Sequence, residues 1–116
     1  MVELDIFVEL ERLLKAEEEA QKKGVSTGKI VRVEKGKRKD FTEEEKLREW
    51  GLNPEEDVLR VVIETEWGDN IVETYRISAN RRSNLFRFYV NYGRPETGKE
   101  VTLKYDRVKN RWRVLL

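Results

Sequence analysis

Residues 58–67, VLRVVIETEW, alternate apolar and polar side chains over a full strand's length. Gly68-Asp69 then interrupts the pattern before residues 70–78, NIVETYRIS, resume it. Side chains two apart share one face of a strand, and a Gly-Asp pair between two such runs signals a hairpin. Leu59, Val61, Ile63, Thr65 and Trp67 fall on one side of the first run. An isolated hairpin is barely stable in water, so the chain must supply more strands or a covering helix.

It does so on both sides. Residues 28–35, GKIVRVEK, read as a strand after a Ser-Thr-Gly break. Residues 99–105, KEVTLKY, alternate Val101, Leu103 and Tyr105. After the DRVKN turn, residues 111–116, RWRVLL, place Trp112, Val114 and Leu116 on one side. Residues 2–23 read as a helix with Ile6, Leu10, Leu13 and Ala20 near one face and Val2, Leu14 and Ala16 beside them. Lys22, Lys23 and Gly24 are its stop signal. Thr42 and Glu45 have capping-box spacing, which predicts a short helix over 43–50 ended by Gly51, and Asn53-Pro54 restarts the chain with a turn.

RRSNLFRFYVNYGRP, residues 81–95, has two readings. As a strand it alternates Phe86, Phe88, Val90 and Tyr92. As a helix it has Ser83 or Asn84 as a cap, Gly93 as a stop and Pro95 just beyond, with Leu85, Phe88, Tyr89 and Tyr92 on one face.

Element order favours the helix. Strand, strand, strand, helix, strand, strand is the order of the OB-fold, a five-stranded Greek-key barrel. TGKIVRVE at 27–34 and TGKEVTLKYD at 97–106 resemble strand openings of OB-type domains, where glycine lets a strand bend. The resemblance covers about 28–116. The expected class is α+β, mostly β. It is a five-stranded OB-like antiparallel barrel with a helix between strands three and four, a short helix between strands one and two, and an N-terminal helix. One domain, 1–116, is expected, with the helix at 1–24 and the barrel at 28–116. A twisted antiparallel sheet with two helices on one face, or an SH3-like barrel with an added helix, would use the same elements.

Charge is abundant and uneven. The chain is 41% charged with a formal net charge of +1. Residues 1–20 hold seven acids and two bases, and residues 41–57 hold the same, −5 in each case. Residues 28–39 hold six bases and one acid, +5, and residues 81–116 hold ten bases and three acids, +7. Such blocks either pair with one another or leave a basic face for a polyanion. Many charged residues with no cysteine and one methionine is a composition reported for hyperthermophile proteins. The chain also resembles small proteins of hyperthermophilic archaea and their mobile elements, a resemblance that carries no activity with it.

Without cysteine or histidine there is no thiol nucleophile, no thiolate zinc site and no imidazole base. No carboxylate pattern implies catalysis and no glycine-rich phosphate loop is present. A magnesium nuclease built from scattered acids is the residual enzymatic reading. No enzyme activity and no cofactor are expected. The acidic start is unlike a signal peptide, and no run is long and apolar enough to span a membrane, so a cytoplasmic protein is expected.

The OB resemblance implies a ligand surface on strands two and three and on the loops joining strands one to two and four to five. The first loop offers Lys35, Lys37, Arg38 and Lys39, and the last offers Arg107, Lys109 and Arg111, with Arg32, Arg60 and Arg76 between. Trp67, Tyr75, Tyr105 and Trp112 are either core residues or stacking platforms. Arg81, Arg82 and Arg87 either hold a phosphate at a helix start or pair with acids. The leading expectation is non-enzymatic binding of single-stranded DNA or RNA. The alternative is a protein-interaction or structural module using the N-terminal helix, as a homodimer.

Overall fold

A computed structural model describes residues 2–116, with side chains described from Asp5 onward, so the expected place of the Val2 side chain lies outside the described residues. Helix α1, Val2–Lys23, leads into strand β1, Val25–Lys37. Two short helical pieces follow, α2, Arg38–Phe41, and α3, Glu44–Glu49. Strands β2, Asp57–Thr65, and β3, Asn70–Arg76, form the hairpin. Helix α4, Asn84–Tyr92, then precedes β4, Glu100–Asp106, and β5, Arg111–Val114.

The sheet order is β3-β2-β1-β4-β5, every pair antiparallel. β3 and β5 also lie against each other across the remaining gap, so the barrel is nearly closed. With a helix between strands three and four, this is the OB-like arrangement expected. β1 is the strand both halves share. It pairs with β4 over Val25–Lys29 and with β2 over Gly28–Lys37. Pairing with β4 is why β1 begins at Val25 and not at Gly28: the Ser-Thr-Gly stretch is strand, not a break. A bulge at Val31 bends β1 within its ladder with β2, just past the end of its ladder with β4. Gly28 sits where they overlap. A Cβ there would lie 2.6 Å from Ile63 Cγ2 and 3.0 Å from Leu103 Cδ1, so the corner closes only around glycine.

The barrel interior is filled by Ile30, Val61, Ile63, Tyr75, Phe88, Val101, Leu103, Trp112 and Val114. α4 is the helix its punctuation indicated. Ser83 Oγ accepts from Phe86 N at 3.2 Å, and Gly93, at φ 78°, donates to Tyr89 O at 2.8 Å. Phe88 is fully buried between Tyr75 and Tyr92, with ring centroids 5.7 and 5.0 Å away. Burial of such a ring stabilises the fold by roughly 3 kcal/mol. Its neighbours Tyr89 and Val90 stay exposed, which is why the strand-like alternation misleads.

Other expectations need correction. The short helix expected over 43–50 forms as Glu44–Glu49, but Thr42 does not cap it. α3 starts after Glu43, with no side-chain cap, and a separate turn, α2, precedes it. Asp40 is the side chain that caps: its Oδ2 accepts from Lys37 N at 2.8 Å. The hairpin turn is longer than Gly68-Asp69, because β2 ends at Thr65, whose hydroxyl and amide both bond to the Asp69 backbone. Trp67 lies in that turn yet is buried, 5.0 Å from the Trp112 ring. Val58 and Val62, on the outer face of β2, are buried too. There α2 packs on β1 and β2, and the Arg60 guanidinium lies 5.6 Å from the centre of the Phe41 ring. The link between β1 and β2 thus covers part of the surface where an OB-like domain was expected to take its ligand. No helix among the described residues is long and apolar enough to cross a membrane.

Candidate functional site

The basic run at 35–39 is not a loop. Lys35 and Lys37 lie in β1, and Arg38 and Lys39 start α2. Antiparallel pairing brings 55–57 back beside them. Lys37 Nζ is 2.8 Å from Asp57 Oδ1, Arg38 Nη2 is 3.0 Å from Glu56 Oε2, and Lys39 Nζ is 2.7 Å from Glu55 Oε1. Each lysine's partner raises its pKa by hydrogen bonding, and Lys37 lowers that of Asp57 in the same way. Arg76 meets the other oxygen of Glu56. Arg32 and Arg60 share Glu34, at 2.8 and 3.6 Å, and Arg111 is 3.8 Å from Glu73. Arg107 Nη2 instead donates to Gln21 O at 3.1 Å and Lys22 O at 3.4 Å, closing the C-terminal end of α1. Lys35 and Lys109 have no carboxylate within ion-pair distance among the described residues. Eight of the ten cations expected at the ligand surface are therefore engaged by carboxylates or backbone carbonyls.

The stacking candidates go the same way. Trp67, Tyr75 and Trp112 are buried core residues, and Tyr105 is half-buried with its ring 5.2 Å from Trp112. Only Tyr105 reaches an open cleft, beside Arg107 and Asn110.

A different set of cations converges around the start of α4. The loop before that helix is held by its own side chains. Asn80 N donates to Ser78 Oγ at 3.1 Å, Arg82 N donates to Asn80 Oδ1 at 2.9 Å, and Ser83 Oγ donates to Ser78 O at 3.3 Å. This fixes Arg82 at the mouth of an open cleft of about 390 Å³, which Arg38, Arg76, Ser78, Asn80 and Asn84 also line. A second cleft, of about 450 Å³, is lined by Arg87, Lys104, Arg113, Asp106 and again Asn84. The two clefts meet at Asn84 and carry six cations between them.

The local arrangement is costly without an anion. Arg81, Arg82, Arg87 and Lys104 have no carboxylate within ion-pair distance among the described residues. Arginines precede α4 and its first turn contains no acid, the reverse of what a helix dipole favours. Lys104 and Arg113 are direct cross-strand partners on β4 and β5, and like charges so placed repel. Asp106 does little to relieve this. Its Oδ1 accepts from Val108 N and Lys109 N at 3.0 and 3.2 Å, and these turn bonds hold its carboxyl below the usual carboxylate range.

Behind the second cleft, Glu73 points into the barrel and is 5% exposed. Its Oε1 is 3.7 Å from Arg113 Nε and 3.8 Å from Arg111 Nη2, without a formed hydrogen bond. Burial pushes its pKa up, and Arg113 and Arg111 oppose that shift. The same burial pushes up the Tyr75 phenol, whose hydroxyl also lacks a partner. Glu73 thus bridges charge, not ladder bonds, across the gap between β3 and β5. Among the described residues no group of three or more carboxylates is placed to hold a metal ion.

Of the residues expected from sequence, Arg38, Arg76, Arg82 and Arg87 reach the clefts. Lys104 and Arg113 were missed. Their signal was the register of the last hairpin: once DRVKN is a turn, positions 104 and 113 face each other. No protein-family model, no curated protein and no solved structure matches this chain.

Proposed function

We propose that the barrel binds single-stranded nucleic acid along the two clefts that meet at Asn84, without catalysing a reaction. The observation that carries this is the set of unpaired cations Arg82, Arg87 and Lys104 lining those clefts. Arg82 and Arg87 would hold phosphates on either side of the α4 start, and Lys104 with Arg113 would hold another. An anion between Lys104 and Arg113 removes their repulsion, which is energy available for binding. The fit is to a flexible single strand, which could pass from the β3 side, by Asn84, to the β4–β5 hairpin. A duplex, with a persistence length of about 150 base pairs, cannot follow that path. With the core aromatics closed off, affinity comes from phosphate neutralisation and depends little on base identity.

Fluorescence anisotropy with labelled oligonucleotides over a salt series tests this. Single strands should bind more tightly than duplexes, with log affinity falling by about 0.7 per phosphate neutralised for each tenfold rise in salt. Absence of binding at low salt rejects the reading. A source living at high temperature, with the protein working inside the cell, belongs to the same proposal, supported by ion pairs such as the one carboxylate of Glu56 shared by two arginines. The exposed apolar side of α1 favours a second reading in addition, association between protein molecules.

A further inference from the structure

Among its described side chains, helix α1 packs on the core from Leu13 onward only. Ala20 is buried, and Leu13 and Ala16 pack at the edge of the core. Its outward side carries Ile6, Phe7, Leu10 and Leu14, which are 49–60% exposed. At about 3.6 residues per turn these four lie within about 100° of arc, a continuous stripe. Exposed apolar patches of this kind mark contact surfaces. The charge around the stripe is one-sided: residues 5–19 contain Asp5, Glu9, Glu11, Glu17, Glu18 and Glu19 against Arg12 and Lys15. Arg12 is itself taken up by Glu9.

A second α1 is a poor cover for that stripe. Two copies side by side would bring their acidic flanks together, and Glu17, seven residues after Leu10, would sit in the contact itself. The complement lies elsewhere on the same chain. The outer side of α4 shows Tyr89 and Val90, 58% and 67% exposed, next to half-buried Phe86. Residues 77–95 around it contain Arg81, Arg82, Arg87 and Arg94 and no acid at all. One helix is apolar with acidic flanks, and the other is apolar with basic flanks.

We infer that α1 of one molecule docks on the outer face of α4 of a second copy, apolar stripe on apolar stripe, with glutamates against arginines. This rests on reading α1 as an interaction element, and because Arg82 and Arg87 also line the two clefts, a docked α1 and a bound strand would compete for them. The contact is heterologous: each molecule offers an α1 and an α4, so two copies can exchange helices in a closed pair or add head to tail.

Sedimentation equilibrium of the 13.9 kDa chain between about 1 and 200 µM tests it, with Leu10→Asp on α1 and Val90→Asp on α4. Both positions are exposed, and each variant's thermal transition is checked against the wild type. Leu14→Ser replaces any α1 variant that fails to fold, and Tyr89→Ser any such α4 variant. The wild-type mass should rise with concentration, and the rise should weaken between 50 and 500 mM salt as the charges are screened. Each variant alone should stay at the mass of one chain. An equimolar mixture of the two should reach twice that mass, because one supplies an intact α1 and the other an intact α4. If Val90→Asp alone still associates as the wild type does, α1 interacts but α4 is not its partner. A mixture that remains monomeric also removes α4. A wild type that stays at one chain's mass throughout overturns both the contact and the reading of α1 as an interaction element.

Discussion

Across β1 and α2, Lys37, Arg38 and Lys39 each meet a carboxylate from residues 55–57. Around the start of α4, Arg81, Arg82 and Arg87 meet none among the described residues. Both stretches are equally basic on paper. What separates them is the strand that returns beside each one. β2 enters with Glu55, Glu56 and Asp57 in register with the first run, whereas the chain from Ile77 to Pro95 brings no acid to the second. Basic character is a property of a segment, but free positive charge is a property of a register.

The comparison is broken most sharply at α4. Arg82→Glu combined with Arg87→Glu should weaken single-strand binding by about 100-fold at low salt and reduce the salt slope by about 1.4, two phosphate contacts at 0.7 each. Anisotropy titrations would expose the opposite case, an unchanged affinity, in which the unpaired arginines are not the contacts. Next in size is Glu56→Gln, which leaves Arg38 without its carboxylate. The Arg38 and Glu56 side chains are only 15% and 16% exposed, so chemical denaturation should register a loss of about 2 kcal/mol. The freed Arg38 and Arg76 should tighten oligonucleotide binding by about 3-fold, since each adds positive potential to the first cleft. A much smaller effect is expected from Lys37→Gln with Lys39→Gln. Affinity should stay within about 2-fold and the thermal transition should barely move, because exposed pairs contribute little. A large loss of binding in that variant would restore the first basic run as the contact surface.

The subtlest test is Glu73→Gln. The folded-state pKa of Glu73 is raised from 4.5, so the folded protein holds that proton more tightly than the unfolded chain. Its contribution to stability is therefore greatest at low pH and declines as pH rises through the raised value. Glutamine cannot ionise. The variant should melt close to the wild type near pH 4 and about 2–4 °C above it at pH 7. A lower melting temperature at pH 7 would mean that the two arginines outweigh burial.

These contrasts also explain what could be read from the sequence. The order of elements was legible because hairpins, caps and stops are local. Ser83 and Gly93 punctuate α4 whatever surrounds it, and the alternation through Val101 and Leu103 needs only a strand. The double pairing of β1 was not legible, since only β4, far along the chain, explains why Val25, Ser26 and Thr27 are strand. Val58 and Val62 were hidden for a related reason. Their burial is made by a linker whose own helices are too short to announce themselves. Pairing of cations was the least readable feature. Arg38 and Arg82 have similar neighbours in sequence, and only the fold gives Glu56 to one and nothing to the other.

β1 also governs the order in which the barrel can be completed. β2 and β3 can fold back on β1 as soon as they emerge during synthesis, since their contacts are near in sequence. The other edge of β1, Val25–Lys29, waits for Glu100 and the residues after it. Contacts between such distant segments are slow to form. Between completion of β3 and arrival of β4 the nascent chain therefore presents a three-stranded sheet in which β1 is a bare edge strand, a surface that recruits other strands. The acidic helix next to that edge is made before it, and its like charge would repel neighbouring nascent chains until β4 arrives.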